Sequence, residues 1–439
     1  MKKLALSLVI FGFCAYAVKT GESKQPRESI SFEQLLKQLS EDLVKSVKFP
    51  EPSLEKETEA AFQADDRYWV TILAADKYER TKLLELGMDI VEVKKDKVSG
   101  IVHQDTLNIL AEENYVIEGK MTLAEYILQS ARDFPPADSA YHNYKETTEL
   151  LKNLASHNPD VASLFSIGRT IEGRDIWCLR ISAGAKGRAA GAKPGAVYIG
   201  NHHAREHLSN EVALLFGVWL LEHKNDADIK RYIDTLDIYI IPMLNPDGVE
   251  YDIRTGKYQW QRKNMRVNID KTIGVDLNRN YDSWWGGTGS SHYTYSDTYC
   301  GTAAFSEPET QAVKKFVEAR KNLKTLMSYH SYSSTIMYPW GGKDTPVEDG
   351  NDRRVFVKMA DEMSKFTGYS PEQASDMYVS TGDTCDWAYE IGRIFAFTTE
   401  LEGDSFYPGA GIIDHAVNSN IKAALYMLSV ADNPYKVAE

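Results

Sequence analysis

From Asp133 onward, short apolar runs alternate with amphipathic stretches. Val, Ile, Leu, Met and aromatic residues crowd Ile176–Ser182, Ala196–Gly200, Leu236–Pro242, Leu323–Tyr329 and Ile394–Glu400. Runs of this length bounded by polar or turn residues predict buried strands. Between them, Ser209–His223, Glu307–Lys321, Asp352–Phe366 and Val417–Ala431 space their apolar residues as helices do. Such alternation predicts an α/β sandwich whose sheet is covered by helices on both faces. No internal repeat is present.

The N-terminal part has a different pattern. Residues 67–120 read as β-α-β-β-α-β, with segments Arg67–Ala74, Lys77–Glu85, Asp89–Val93, Val98–His103, Asp105–Glu113 and Tyr115–Glu118. Two β-α-β units of this size predict an α+β, ferredoxin-like domain. Before it, residues 18–66 are polar and charge-rich apart from one helical stripe of Phe32, Leu35, Leu36, Leu39, Leu43 and Val47, which predicts a tether carrying a short helix. After it, Thr122 and Glu125 form a capping box for a connector helix, Leu123–Ala131, which Pro135 and Pro136 follow. Arg132 at the connector's end marks an expected proteolytic site, so residues 18–132 are expected to be a propeptide and 133–439 the main domain. The chain opens with Lys2, Lys3 and an apolar run from Leu4 to Ala17 that ends Ala15-Tyr16-Ala17. That run is shorter than the roughly 18 residues a membrane span needs, and it predicts a signal peptide over 1–17 and export of the protein, with no membrane association afterwards.

Composition narrows the function. The 439 residues carry 63 acidic and 50 basic side chains, a net charge of −13, which argues against nucleic acid as a partner. At 43% hydrophobic and 26% charged, the chain has the composition of a globular protein with a large apolar core. Beyond the signal only Cys178, Cys300 and Cys385 remain. Cys178 falls in a strand and is expected to be buried and unpaired; any bridge would join Cys300 to Cys385.

Candidate chemistry collects where apolar strands end, which is where open α/β sheets place their sites. Directly after Ala196–Gly200 come His203 and Glu206, an H-x-x-E pair able to meet one metal ion at a helix entry. The pair alone is a common surface pattern, and a third ligand is needed. His330 follows the run Leu323–Tyr329 and supplies one, and three protein ligands leave a position open, as catalytic zinc requires. Glu400 ends the run that starts at Ile394, where a carboxylate is poorly solvated unless it has a partner or a task; it is the candidate base. Asn278 and Arg279 stand side by side and can hold a carboxylate through an amide and a guanidinium fork, and Arg262 can face an oxyanion.

Taken in order, His203-Ala204-Arg205-Glu206, Asn245-Pro246-Asp247-Gly248, Gly274 to Asn280, Ser328-Tyr329-His330-Ser331-Tyr332, Tyr378 to Trp387 and Phe397 to Leu401 resemble the zinc carboxypeptidase family of carboxypeptidases A and B. The bacterial carboxypeptidase T branch is the most similar. The resemblance covers about Asp133 to the end and implies a mixed, eight-stranded-type sheet with helices on both faces. It implies one zinc held by His203, Glu206 and His330, Glu400 as general base, and Arg262 stabilising the oxyanion. Asn278 and Arg279 would bind the substrate's terminal carboxylate, a mobile Tyr378 would close over it, and Arg205, Ser331 and Tyr332 would line subsites upstream. A cis peptide at Ser331-Tyr332 is also implied. His202 and His207 match no ligand position.

The resemblance further implies a secreted zymogen, monomeric, activated by a trypsin-like protease and acting on peptides and proteins with a free C-terminus. At the pocket floor, Cys385 is neutral and favours apolar or aromatic C-terminal residues. Asp383 matches an acid of the carboxypeptidase T type, which accepts basic residues as well, and Gly341 leaves room for a large side chain. Ser139, Tyr141 and Glu146 fall where that type binds calcium. Two other readings compete: a secreted amidase or carboxypeptidase trimming peptidoglycan stem peptides, and an inactive binding protein on the same scaffold. The aromatic-rich pocket loop and the long propeptide argue against the first, and the complete set of ligands and base against the second.

Overall fold

The strand Arg67–Leu73 (β1) lies between two antiparallel neighbours, and its alternate residues Val70 and Ile72 face one apolar cluster. The computed structural model describes residues 66–123, 126, 136–184, 191–254 and 257–439. The expected signal peptide, the tether apart from Asp66, most of the connector helix and Arg132 lie outside the described residues.

After β1 come α1 (Lys77–Glu85), β2 (Asp89–Lys94), β3 (Lys97–His103), α2 (Gln104–Glu112) and β4 (Ile117–Thr122). The sheet order is β2-β3-β1-β4, all antiparallel. Leu83 and Leu84 of α1 and Leu107 and Leu110 of α2 cover the sheet, and Asp76 caps α1 by accepting the N–H groups of Tyr78 and Glu79. The last strand starts later than expected. Tyr115 donates its N–H to Leu110 O and so closes α2 rather than opening β4, and Thr122 ends the strand.

The main domain continues with α3 (Tyr144–His157), β5 (Ala162–Arg169), β6 (Asp175–Ile181), β7 (Gly195–Ile199), α4 (His207–Glu222), α5 (Ala227–Thr235), β8 (Asp237–Ile241) and α6 (Pro246–Ile253). Then follow α7 (Pro308–Glu318), β9 (Leu323–Ser331), β10 (Thr335–Tyr338), α8 (Gly350–Thr367), β11 (Ser370–Gln373), α9 (Ala374–Met377), α10 (Thr384–Gly392), β12 (Phe395–Leu401) and α11 (Ile413–Val430). Eight strands form one mixed sheet in the order β11-β10-β12-β9-β7-β8-β6-β5. Its centre is parallel: β12, β9, β7 and β8 run the same way. Along these strands successive residues enter opposite cores. Ala196, Tyr198, Ile238 and Ile240 meet α4, α8 and α11, while Val197, Ile199, Tyr239 and Ile241 meet α7 and Trp387. Burial on both faces is why these strands read as unbroken apolar runs.

The strands absent from the sequence reading are the edge pair β5 and β11 and the short β10. β11 is Ser-Pro-Glu-Gln, half-exposed or exposed throughout, so apolar pattern has nothing to report there. Cys178 is buried in β6 as expected. The suggested Cys300 to Cys385 bridge is not formed; both thiols are free and buried. They belong to different surroundings, Cys300 Sγ lying 3.8 Å from His292 Nδ1 and Cys385 Sγ 3.2 Å from Thr398 Oγ1. No described helix is long and apolar enough to cross a membrane.

Phe397 on β12 is fully buried and meets Phe356 of α8 edge-on with ring centroids 5.4 Å apart. Phe397→Ala is expected to cost about 3–5 kcal/mol of stability, read as a lower urea midpoint with an unchanged slope.

Candidate functional site

The site begins where β7 ends. Gly200 has no room for a side chain, since a Cβ there would come within 2.5 Å of Pro242 O and Ser209 O. The next residue, Asn201, turns the chain with φ of 50°, and its side-chain Nδ2 donates to the carbonyls of His203 (3.1 Å), Ala204 (3.4 Å) and Glu206 (3.0 Å). One buried amide thus shapes the loop that delivers His203 and then Glu206, the residue just before α4. From the parallel neighbour, β9, comes His330. On the next strand, β12, Glu400 stands directly opposite His330 in the register.

His203, Glu206 and His330 are all buried, and their ligand atoms lie within 4.8 Å of one another. His203 Nδ1 is 2.8 Å from Glu206 Oε1; His330 Nδ1 is 3.0 Å from Glu206 Oε2 and 3.1 Å from His203 Nδ1. Among the described residues no other group of three His, Cys, Asp or Glu side chains meets in this way. The far nitrogens are already engaged. His203 Nε2 donates to Asp276 Oδ1 at 3.1 Å, because a carboxylate only accepts, and His330 Nε2 faces Ser328 Oγ at 3.0 Å. The Nδ1 atoms of two histidines and a carboxylate therefore point at one space, a set that fits a divalent cation such as zinc. Burial lowers the pKa of His330. At Glu206 burial works to raise the pKa, but the two histidines outweigh it and hold the carboxyl in its charged form.

Around this centre stand the other predicted residues. Glu400 is half-buried, and burial together with the charge of Glu206 pushes its pKa up to about 8. Arg262 is buried; its Nε and Nη2 donate to Asp276 Oδ2 at 3.1 and 2.9 Å, and Nη1 lies 3.9 Å from Glu206 Oε1. Asn278 Oδ1 accepts from Thr384 N (3.0 Å) and Thr384 Oγ1 (2.9 Å), which leaves its Nδ2 to point elsewhere. Arg279 gives Nη1 to Asn278 O and Nε to Gly289 O. Ser331 N donates to Glu206 Oε2 at 3.3 Å. The Ser331-Tyr332 peptide is cis, and so is Pro339-Trp340, which sequence did not suggest. Gly341 donates its N–H to Asp386, Asp383 caps α10, and Cys385 is buried beside Thr398.

The small domain reaches into the same region. Asp89, at the start of β2, pairs with Arg205 Nη2 and lies 3.7 Å from Arg262 Nη1. Arg80 Nε donates to Met377 O at 2.9 Å and Thr81 Oγ1 accepts from Val379 N at 3.0 Å, one contact on each side of Tyr378. Tyr378 itself packs against the small domain's core. Tyr332 is half-buried within a cluster that includes Trp69 of β1.

Three participants were missed from sequence. Asp276 lies in the segment Gly274 to Asn280, but nothing in spacing says that it holds both His203 and Arg262. His202, set aside as a neighbour, meets Tyr281 OH at 3.0 Å, Thr384 Oγ1 at 2.8 Å and Ser328 Oγ at 3.1 Å. Asp89 is a single acid in a distant domain. His207 is engaged by Asp252 at 2.9 Å, away from the three ligand atoms. Of the suggested calcium donors, Glu146 closes a capping box with Asn143, Tyr141 OH donates to Gly409 O and Ser139 is exposed.

Comparison with known proteins gives one consistent answer. The family model described as zinc carboxypeptidase matches residues 147–423. A zinc carboxypeptidase from Saccharothrix mutabilis subsp. capreolus is 29% identical over 388 residues, spanning 82% of this chain and 88% of that protein. Carboxypeptidase A1 from Homo sapiens is 32% identical over 309 residues, 68% of this chain and 72% of the relative. Among solved structures, carboxypeptidase A from Helicoverpa armigera superposes with a TM-score of 0.71 at 23% identity, over 84% of this chain and 98% of that one. The chain belongs to the zinc carboxypeptidase family and is a metallocarboxypeptidase.

Proposed function

We propose that the protein is a secreted zinc carboxypeptidase that removes C-terminal residues from peptides and proteins, apolar and aromatic ones and basic ones too. The observation that carries this reading is the convergence of His203, Glu206 and His330 beside Glu400 and Arg262. His203, Glu206 and His330 would hold zinc, which when bound supplies Lewis acidity toward a peptide carbonyl and an acidified water. Glu400 would act as the general base, holding a proton at its carboxylate and handing it to the leaving amine. Arg262 turns Nη1 toward the oxygen on which negative charge develops. Asn278 Nδ2 and the Arg279 guanidinium receive the terminal carboxylate, Tyr378 closes over it, and Arg205, Ser331 and Tyr332 line the upstream subsites. Gly341, Asp383 and Cys385 border the side-chain pocket. Metal analysis with a panel of peptides differing only in the C-terminal residue tests the reading.

Residues 18–132 act, in this reading, as a propeptide that keeps the enzyme latent until a trypsin-like protease cuts near Arg132. Asp89 occupies Arg205 and approaches Arg262, and α1 fixes the chain on both sides of Tyr378. These contacts support occlusion of the substrate path, with no need for the small domain to touch the ligand atoms.

Three outcomes follow. His330→Ala should lose its zinc at a chelator concentration that leaves the wild type loaded; full retention by metal analysis would remove His330 from the ligand set. Glu400→Gln should keep zinc and fold while turnover drops by about a hundred- to ten-thousandfold, and a rate within a few fold of wild type would take Glu400 out of the mechanism. The uncut chain should hydrolyse both a long peptide and a small blocked dipeptide slowly, and trypsin should raise both rates. Equal rates before and after cutting would reject latency.

A further inference from the structure

Two buried acids, Asp383 and Asp386, stand one helical turn apart at the start of α10. Asp383 Oδ1 is spent as the helix cap, accepting from Cys385 N at 2.8 Å and Asp386 N at 3.0 Å. Its Oδ2 is buried and meets no hydrogen-bond donor. Asp386 accepts Gly341 N at 3.0 Å on each oxygen and Gly342 N at 2.8 Å. A Cβ added to Gly341 would lie 3.5 Å from Asp383 Oδ2 and 3.7 Å from Asp386 Oδ2. Both carboxyl groups therefore border the space that Gly341 leaves open, on the side of the cleft assigned above to the substrate's last side chain.

The charged surroundings do not neutralise this pair. Arg279 acts on Asp383 through space, but its Nη1 and Nε are given to carbonyl oxygens. Lys343, the residue after Gly342, is paired with Glu348 and lies over the rings of Trp284 and Trp340. The other titratable groups facing the acids are Tyr281 and Cys385, whose own pKa values are raised, by burial first, so both stay neutral. Two buried carboxylates that border the same small space do not both carry a full charge. Burial raises the pKa of each, and at Asp386 the charge of Asp383 adds to it. One proton held between them also gives Asp383 Oδ2 the donor it lacks.

We propose that Asp383 and Asp386 form a one-proton cradle at the end of the side-chain pocket and that the state of this proton selects the C-terminal residue. With the proton in place one of the two charges is neutralised and the remaining one is met by the N–H groups of Gly341 and Gly342, so the pocket end accepts an apolar or aromatic side chain. When a lysine or arginine enters, the proton leaves to bulk water and the ammonium or guanidinium takes its place between the two carboxylates, so charge is conserved at the site. This rests on the carboxypeptidase reading and deepens it. Binding a basic end in preference to an apolar one is then linked to the loss of one proton, so the preference grows as pH rises and levels off once the pair is ionised.

The test compares two peptides identical but for a C-terminal Lys or Phe, with zinc-loaded full chain that has been nicked by trypsin and the trypsin then inhibited. Steps shared by the two substrates, the titration of Glu400 included, cancel in the ratio of their kcat/KM values. In wild type that ratio should rise with pH, by up to about tenfold per pH unit, and flatten once the pair is ionised. Asp383→Asn keeps the helix cap, because the amide oxygen accepts the same N–H groups, and it should hold the ratio at its low-pH value throughout. A wild-type ratio independent of pH, or a rise that persists in Asp383→Asn, overturns the cradle while leaving the carboxypeptidase reading intact. Should Asp383→Asn fail to fold, the wild-type profile decides alone. Hydrolysis of neither peptide overturns the carboxypeptidase reading, and the cradle with it.

Discussion

One buried carboxylate holds the site in register. Asp276 has no exposed surface; its Oδ1 takes the Nε2–H of His203 and the backbone N–H of Asn278, and its Oδ2 takes two N–H groups of Arg262. Leaving an unpaired charge in such a place costs several kcal/mol, so Asp276 and its partners stand or fall together. Burial alone would raise its pKa, yet Arg262 and His203 hold it well below the usual carboxylate range. Two consequences follow for the chemistry. The ring of His203 is oriented with its Nδ1 toward Glu206, and the guanidinium of Arg262 is held along one edge by Asp276 with Nη1 3.9 Å from Glu206 Oε1. His203, Arg262 and the turn that carries Asn278 are thus held by one side chain.

The small domain meets the main domain through charge and through an apolar cluster in which Trp69, Ile101 and Leu123 pack with Trp260 and Phe406. Asp89 answers Arg205 and approaches Arg262, while Arg205 keeps Nε and Nη1 without hydrogen-bond partners and lays its guanidinium 3.9 Å from the centroid of the Phe406 ring. A buried donor without a partner costs about 1–3 kcal/mol.

Much of this was legible in the sequence because its physics is local. Strands buried on both faces announce themselves as apolar runs, and His330 and Glu400 stood out as polar residues at the ends of such runs. What escaped notice depends on which residue a side chain meets after folding. Asp276, His202 and Asp89 look like ordinary polar residues until His203, Thr384 and Arg205 are brought to them. The edge strand Ser370–Gln373 has no apolar face to detect, and Cys300 and Cys385 could be paired on paper only because sequence says nothing about the separate neighbours each thiol has. The small domain's last strand was placed too early because Tyr115 and Val116 look like strand residues, whereas the N–H of Tyr115 is needed to finish α2.

The pocket and the ligand cluster are joined by one contiguous set of hydrogen bonds. Asp383 caps α10, which fixes Thr384; Thr384 grips Asn278 Oδ1 through both N–H and hydroxyl, and its hydroxyl also meets His202 Nε2. His202 in turn shares Ser328 Oγ with His330 and stacks on that ring with centroids 5.4 Å apart. Burial keeps His202 neutral, with its pKa well below the ordinary value and the nearby His330 and His203 pushing the same way. A neutral imidazole in this position passes orientation from the start of α10 to His330 without adding charge beside the metal donors. The residues that would recognise the end of a peptide and those that would act on its last bond are therefore positioned by the same polar chain, and a shift at the start of α10 is felt at both.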